Sequence, residues 1–309
     1  MAGAEAPLPA ELLTVLAILG PTASGKSDAA LRVAEQLGAE IVVADSRQVY
    51  RELEIATNKP MPEQLLRVRH HAVGFADPRQ PFNVHDYVQI ARAAIEDIAA
   101  RGKRPLLEGA TMLYVDALLD GLSLAGVSRN PERRAELASW PLERLAGRVR
   151  DLDPGAELDW RNRVRLVRAI EVLEVAGPPL AKLRTKQPPP WRQIRVGLDV
   201  PRQELAERIR ARSQEQLRRG LIEETRRALE RGLPQDSQIL TGTGYVESVA
   251  HLEDRLDAED LLDLMVRNNL RLARRQLTWM RRDPRIHWLP AVDDPVPAIL
   301  DYLEAQRLI

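Results

Sequence analysis

Eight consecutive residues, Gly20, Pro21, Thr22, Ala23, Ser24, Gly25, Lys26 and Ser27, have the types and spacing to grip a phosphate. They fit G-x-x-x-x-G-K-[ST], a turn whose glycines let backbone N–H groups point at phosphate oxygens while the lysine brings a mobile positive charge. The Ser27 hydroxyl is placed to ligate Mg²⁺. The plain alternative is a chance strand–turn–helix junction. Asp45 is the second group of interest, at the carboxyl end of the next apolar run, where an open α/β sheet faces its ligand crevice. From there it can hold Mg²⁺ through water, take a proton from an attacking nucleophile, or cap the following turn, a role Ser46 could share.

These groups need a sheet to hold them. Residues 13–19 read as a buried strand and 27–37 as an amphipathic helix ended by Gly38, so the glycine-rich turn has the strand-to-helix context a P-loop requires. Residues 41–44 make a second strand, 84–101 a helix, 105–107 a third strand and 111–119 a further helix. That alternation predicts a parallel sheet with crossover helices. From 131 to 176 only helical periodicity is found, with Leu137, Leu142, Leu145, Val149, Val164, Val167, Ile170 and Leu173 at its apolar positions, and proline-rich connectors follow at 177–179 and 188–190. A strand at 194–200 resumes the sheet, Pro201 opens a long helix to about Gly232, and 257–282, 286–289 and 296–308 read as helix, strand and helix. The fold class is therefore α/β: a P-loop, nucleotide-kinase-like parallel sheet with flanking helices and an all-helical insertion. The expected divisions are residues 1–121, 122–191 and 192–309.

Composition narrows the chemistry further. The 309 residues are 44% hydrophobic and 29% charged, with 45 Lys+Arg against 45 Asp+Glu, enough apolar mass for a packed core. No cysteine is present, which removes disulfides, thiolate catalysis and Cys-containing zinc sites and favours a cytoplasmic setting. The apolar stretch from Leu12 to Leu19 is too short to span a membrane, and Glu5, Pro7 and Pro9 before it, without a basic residue, do not make a secretory leader. Overall neutrality hides a patch: Arg267, Arg271, Arg274, Arg275, Arg281, Arg282 and Arg285 lie against a single acid, Asp283. Four of them, Arg267, Arg271, Arg274 and Arg281, share one helical face, which is either solvated or a phosphate-contacting surface.

Seven motifs in order make the reading specific: GPTASGKS at 20–27, DSRQVYR at 45–51, IATNKP at 55–60, LLEGATMLY at 106–114, RLVRAIEV at 165–172, GYVE at 244–247 and RRQLTW at 274–279. In this order they resemble the bacterial tRNA dimethylallyltransferases over about residues 13–289. The resemblance implies transfer of a dimethylallyl group from dimethylallyl diphosphate to N6 of the adenosine just 3′ of the anticodon (adenosine 37), in tRNAs reading codons that begin with U. It implies Mg²⁺ as cofactor, the P-loop as the diphosphate site, Asp45 as the group that takes the amine proton, Thr111 near the reacting oxygen and the adenine, and Arg212 on the diphosphate. Thr111 is also placed to cap the helix that follows it, and Arg212 taken alone is an exposed helix charge. The tRNA contacts implied are Asp45, Ser46, Arg47, Gln48, Thr111, Val164, Arg165, Leu166, Val167, Arg168, Thr241, Gly244 and Tyr245, through Val246, with the helical insertion on the anticodon stem-loop. Arg165 and Arg168 lie three apart on one helix face and can reach one backbone. A monomer in the cytoplasm, without membrane contact, is expected.

Departures from the family pattern bear on the site. Ala110 stands for the second glycine of GGT, Ala56 for the glycine of IGTAKP, and Thr241 for an arginine found in some relatives; the alanines matter only where φ must be positive or a ligand approaches closely. Glu108 is unusual before Gly109 and either disturbs or supplements the charge of the site. His70 and His71 read as loop packing rather than metal ligands, since no Cys or spaced carboxylate completes a set. Competing functions are a P-loop small-molecule kinase, an isopentenyltransferase acting on free AMP, and a nucleotide-switched RNA-binding protein without transfer chemistry.

Overall fold

The computed structural model describes residues 13–122, 127, 130–183, 186–291 and 293–308, so Glu5, Pro7, Pro9 and Leu12 lie outside the described residues. The chain forms two compact units, one from the stretches up to Val115 and from Pro190 onward, the other from Asp116–Pro189. The second unit thus starts a few residues before the 122–191 span read from sequence.

The first unit is built on six strands: β1 Thr14–Leu19, β2 Ala39–Ala44, β3 His70–His71, β4 Arg104–Gly109, β5 Arg192–Asp199 and β6 Ile286–Pro290. Their order is β3-β2-β4-β1-β5-β6, and every pairing is parallel. A parallel sheet is covered on both faces, which is why β2 is buried along its whole length. Registration aligns the carboxyl ends, with Leu19 and Ala44 both opposite Gly109. The segments leaving β1, β2 and β4 therefore emerge side by side, as the switch-point rule for open α/β sheets requires of a ligand site. Gly109 makes this possible: a Cβ there would lie 2.3 Å from the Ala44 carbonyl oxygen.

Helices α1 Lys26–Leu37, α2 Pro62–Arg67, α3 Val84–Ala100 and α4 Met112–Leu119 follow in chain order. The Asn83 side chain accepts the N–H groups of His85 and Asp86 and so starts α3. The second unit holds α5 Pro131–Ala138, α6 Leu142–Leu152 and α7 Arg163–Ala176, then a 3-10 turn at Leu180–Leu183, around a core of Leu137, Leu145, Val149, Leu166, Ile170 and Leu173. Helices α8 Arg202–Arg218, α9 Leu221–Glu230, α10 Tyr245–Leu252, α11 Ala258–Met280 and α12 Val296–Ala305 complete the first unit.

Four expectations are corrected. The single helix after Pro201 is two, α8 and α9, broken where Gly220 takes φ +89°, and Pro201 stands just outside α8 with extended ψ of 141°. The strand expected at 105–107 runs on through Gly109 and is fourth in order, because the two-residue β3 precedes it; this puts Glu108 inside the sheet. Helix α10 was not foreseen. Val164, assigned to the apolar face of α7, is 76% exposed.

Candidate active site

The P-loop closes tightly on itself. Ser24 N–H donates to the Pro21 carbonyl at 3.2 Å, Ala23 and Gly25 both adopt positive φ (65° and 85°), and Lys26 Nζ reaches the Pro21 carbonyl at 3.4 Å. Gly20 has no room for a side chain, since a Cβ would lie 2.4 Å from Ser24 Oγ. Three neighbours brace the loop, two of them, Gln276 and Arg208, unassigned from sequence. Gln276, inside RRQLTW, accepts the Thr22 N–H at 2.8 Å. Arg208, on α8, donates to the Ser24 carbonyl at 3.3 Å and the Ala291 carbonyl at 2.7 Å, and pairs with Glu204. One turn on, Arg212 donates to Thr22 Oγ1.

Asp45 leaves β2 with Oδ1 accepting the N–H groups of Arg47 at 2.8 Å and Gln48 at 3.3 Å, an Asx turn that fixes the carboxylate. Thr111 faces it from the end of β4: its Oγ1 accepts the Ser46 N–H at 3.0 Å, and its own N–H donates to the Ala44 carbonyl at 3.1 Å. The first turn of α4 closes on the Thr111 carbonyl, which accepts from Tyr114 and Val115, while the hydroxyl accepts the Ser46 N–H. Burial lowers the Arg212 pKa to about 10, partly offset by the charge of Asp45. It remains a cation at neutral pH. Burial lowers the Arg47 pKa as well, again opposed by Asp45.

Three buried polar atoms around these turns have no hydrogen-bond partner among the described residues: Ser24 Oγ, Arg212 Nε and Arg47 Nη1. A buried polar group without a partner is costly, and an anion with several acceptor oxygens satisfies such a set. Glu108 brings the opposite charge. It is 4% exposed, accepts the Ser27 O–H at 2.8 Å and lies 3.9 Å from Lys26 Nζ. Its pKa is raised by burial and by Asp45, against the pull of Lys26 and Ser27.

The neighbouring loop at 53–60 is held from within. Buried Glu224 on α9 accepts the N–H groups of Glu54 and Ile55 at 2.9 and 3.0 Å, and Gln216 on α8 donates to the carbonyls of Ile55 and Ala56. Neither residue stood out in the sequence, because a lone Glu or Gln on a charged helix carries no periodic signal. Ala56 and Ala110 both avoid positive φ, so neither is strained; Ala56 instead sits where a Cβ on Gly244 would come within 2.7 Å of it.

Several residues expected to touch tRNA are committed elsewhere. Tyr245 is buried, donating its hydroxyl to Glu224 at 2.6 Å and accepting the Ala56 N–H at 3.3 Å. Gly244 N–H donates to Glu247 at 2.6 Å, and its φ of +95° turns the chain into α10. Gln48 is buried and lines a small cavity with Ser27 and Glu108. Leu166 lies in the helical core, Val167 packs against it, and Arg168 is tied to the Val127 carbonyl at 2.7 Å and to Glu171. Arg165 and Val164 remain exposed. Thr241 is also exposed, taking a bond from Arg47 Nη2 at 3.3 Å. On α11, Arg267, Arg271, Arg274 and Arg275 are exposed and face no carboxylate among the described residues, whereas Arg281 pairs with Asp199 at 3.5 Å. His70 and His71 form β3, the first bonded to the Val68 carbonyl and the second to Glu40.

Residues 48–283 match the model of the IPP transferase family, and residues 13–73 that of isopentenyl transferase. A tRNA dimethylallyltransferase of Thermomicrobium roseum is 38% identical over 281 residues, covering 89% of this chain and 85% of that protein. Another, from Roseiflexus castenholzii, is 40% identical over 300 residues and covers 95% and 97%. The crystal structure of the full-length tRNA isopentenylpyrophosphate transferase from Bacillus halodurans superposes with a TM-score of 0.72 at 30% identity, covering 95% of this chain and 96% of that one.

Proposed function

The chain belongs to the IPP transferase family, and on that premise we propose that it transfers a dimethylallyl group from dimethylallyl diphosphate to N6 of adenosine 37 in tRNAs reading codons that begin with U. One observation carries the reading: buried donors with no partner among the described residues and a fixed carboxylate lie at the carboxyl end of the sheet. In the reaction the allylic C–O bond breaks with its electron pair going to the diphosphate, while the adenine N6 lone pair forms the new C–N bond. The P-loop N–H groups, Lys26 and Arg212 hold the departing diphosphate, supplying the electrostatic stabilisation a leaving anion needs. Asp45 takes the N6 proton as the bond forms, since an exocyclic amine is a weak nucleophile until relieved of it. Thr111, bonded to the turn that carries Asp45, orients the carboxylate and the reacting groups.

Mg²⁺ fits the residues present: the Ser27 hydroxyl stands at the start of α1 with a carboxylate oxygen of Glu108 beside it, the hard oxygen donors that ion takes. When bound, it neutralises charge accumulating on the diphosphate. The arginines of α11 that face no acid among the described residues support a large polyanionic acceptor over free AMP. No helix among the described residues is long and apolar enough to cross a membrane. The enzyme is proposed to act as a monomer in the cytoplasm.

The test is direct. Purified protein with Mg²⁺, dimethylallyl diphosphate and unmodified tRNA is expected to yield N6-dimethylallyladenosine on nucleoside analysis, with AMP in place of tRNA yielding far less. Product from AMP alone, or phosphoryl transfer from a nucleoside triphosphate to a small hydroxyl compound, overturns the reading.

A further inference from the structure

Glu108 is a buried carboxylate beside a turn that, on the reading above, receives a diphosphate. Strand β4 lies between β1 and β2, and Glu108 is in register with Ile18 and Val43, one residue short of the carboxyl ends of those strands. Its Oε1 takes the Ser27 hydroxyl at 2.8 Å, and the closest cation is Lys26 at 3.9 Å. A diphosphate seated in the P-loop would bring further negative charge against this carboxylate and would draw on the same Lys26. Like charges brought together away from water repel strongly. A divalent cation between them converts the repulsion into attraction.

We propose that Glu108 is a magnesium-binding carboxylate, acting with Ser27 to hold Mg²⁺ against the diphosphate. The inference rests on the diphosphate reading of the P-loop. The arrangement, an acid near the end of the strand beside the P-loop strand and bonded to the loop hydroxyl, is the one P-loop enzymes use to hold this ion. Ser27 and Glu108 border a cavity of about 40 Å³ whose other polar walls include Gln48, Asn58 and His70. That space admits more than one water, and Mg²⁺ keeps several of its waters when bound through one or two carboxylates and substrate phosphates. The glutamate thereby gives this chain a metal ligand that the P-loop motif alone does not supply.

The proposal predicts effects of opposite sign, which a merely structural role for Glu108 does not. Mn²⁺ is titrated into protein saturated with inorganic pyrophosphate, with free ion followed by electron paramagnetic resonance. Pyrophosphate affinity is measured separately in EDTA by calorimetry. E108Q is expected to weaken Mn²⁺ binding by about tenfold or more. In EDTA the same variant is expected to bind pyrophosphate several-fold more tightly than wild type, because the repelling charge is gone. Unchanged Mn²⁺ binding, or pyrophosphate binding weakened equally with and without metal, overturns the proposal. Should E108Q fail to fold, the wild type decides: an anomalous-scattering map of crystals grown with Mn²⁺ and pyrophosphate is expected to put the ion within one water of Glu108, and an ion remote from it overturns the assignment. Failure of wild type to bind pyrophosphate under any condition would instead remove the diphosphate reading itself.

Discussion

Two carboxylates are buried in the same sheet near its opposite ends, and their surroundings differ in kind. Glu40, near the start of β2, is 2% exposed and held by two cations and an imidazole: Arg101 contacts both oxygens, at 2.5 and 2.7 Å, Lys103 lies at 3.0 Å, and the His71 ring nitrogen is at 2.7 Å. Those partners hold its pKa far below the ordinary carboxylate range. Glu108, near the end of β4, has one hydroxyl bond and a lysine at 3.9 Å, and burial pushes its pKa up. Sequence position alone does not distinguish them, because each is a Glu within an apolar strand. The difference shows how this sheet divides its tasks. At the amino end the charge of Glu40 is answered within the fold. The carboxyl end keeps capacity for a bound group, visible in Ser24 Oγ, Arg47 Nη1 and Arg212 Nε as well.

The largest expected effect comes from removing charge at the carboxyl end without disturbing the fold. Asp45→Asn retains an oxygen for the Arg47 and Gln48 N–H groups but no longer takes a proton. Turnover is expected to fall by about 10³-fold, within the range for loss of a general base, with tRNA affinity and thermal unfolding little changed. Turnover within tenfold of wild type in a single-turnover assay would break the functional half of the comparison.

The amino end should respond in the opposite way. Glu40→Gln is expected to cost about 2 kcal/mol of folding stability, less than for a fully buried ion pair because Arg101 and Lys103 reach water. Folded enzyme should retain its turnover. The sign with pH follows from the lowered folded-state pKa of Glu40. Its stabilisation is complete above the unfolded carboxylate pKa, roughly 4.3, and is lost as pH falls toward the folded value. Denaturant unfolding of wild type and Glu40→Gln should therefore differ at pH 7 and converge in acid. A pH-independent gap would show that the cation cluster is not its source.

Much of this was legible from residues alone, and the exceptions have identifiable causes. The P-loop, Asp45 and the order of alternating elements could be read because a fixed glycine spacing and runs of apolar residues are local signals. Strand β3 could not, since two residues bear no periodicity, and the break at Gly220 was masked by continuous helical composition on both sides. The arginine run on α11 was visible, but its separation into exposed arginines and one paired with Asp199 depends on a strand distant in sequence. Family motifs singled out Thr111, Arg212 and Tyr245, but the bond of the Tyr245 hydroxyl to Glu224 is long-range and was not legible in them. Gln276, Gln216 and Glu224 act through contacts on loops far away in sequence, which no local pattern encodes.

The smallest expected effect tests whether the carboxyl end is tuned by orientation as well as charge. Thr111 Oγ1 accepts the Ser46 N–H and so ties the turn carrying Asp45 to the end of β4. Thr111→Val preserves side-chain volume but leaves that N–H without its acceptor, a loss worth about 1–2 kcal/mol, or roughly tenfold in turnover if the turn relaxes. Thr111→Ser keeps the oxygen and should stay within about threefold of wild type. Orientation and substrate contact separate in the kinetics: a loosened turn lowers kcat with little change in the KM for dimethylallyl diphosphate, whereas a lost contact to the bound donor raises KM. An effect confined to KM would assign the hydroxyl to substrate binding, and equal activity of the Val and Ser variants would remove Thr111 from the working end of the sheet.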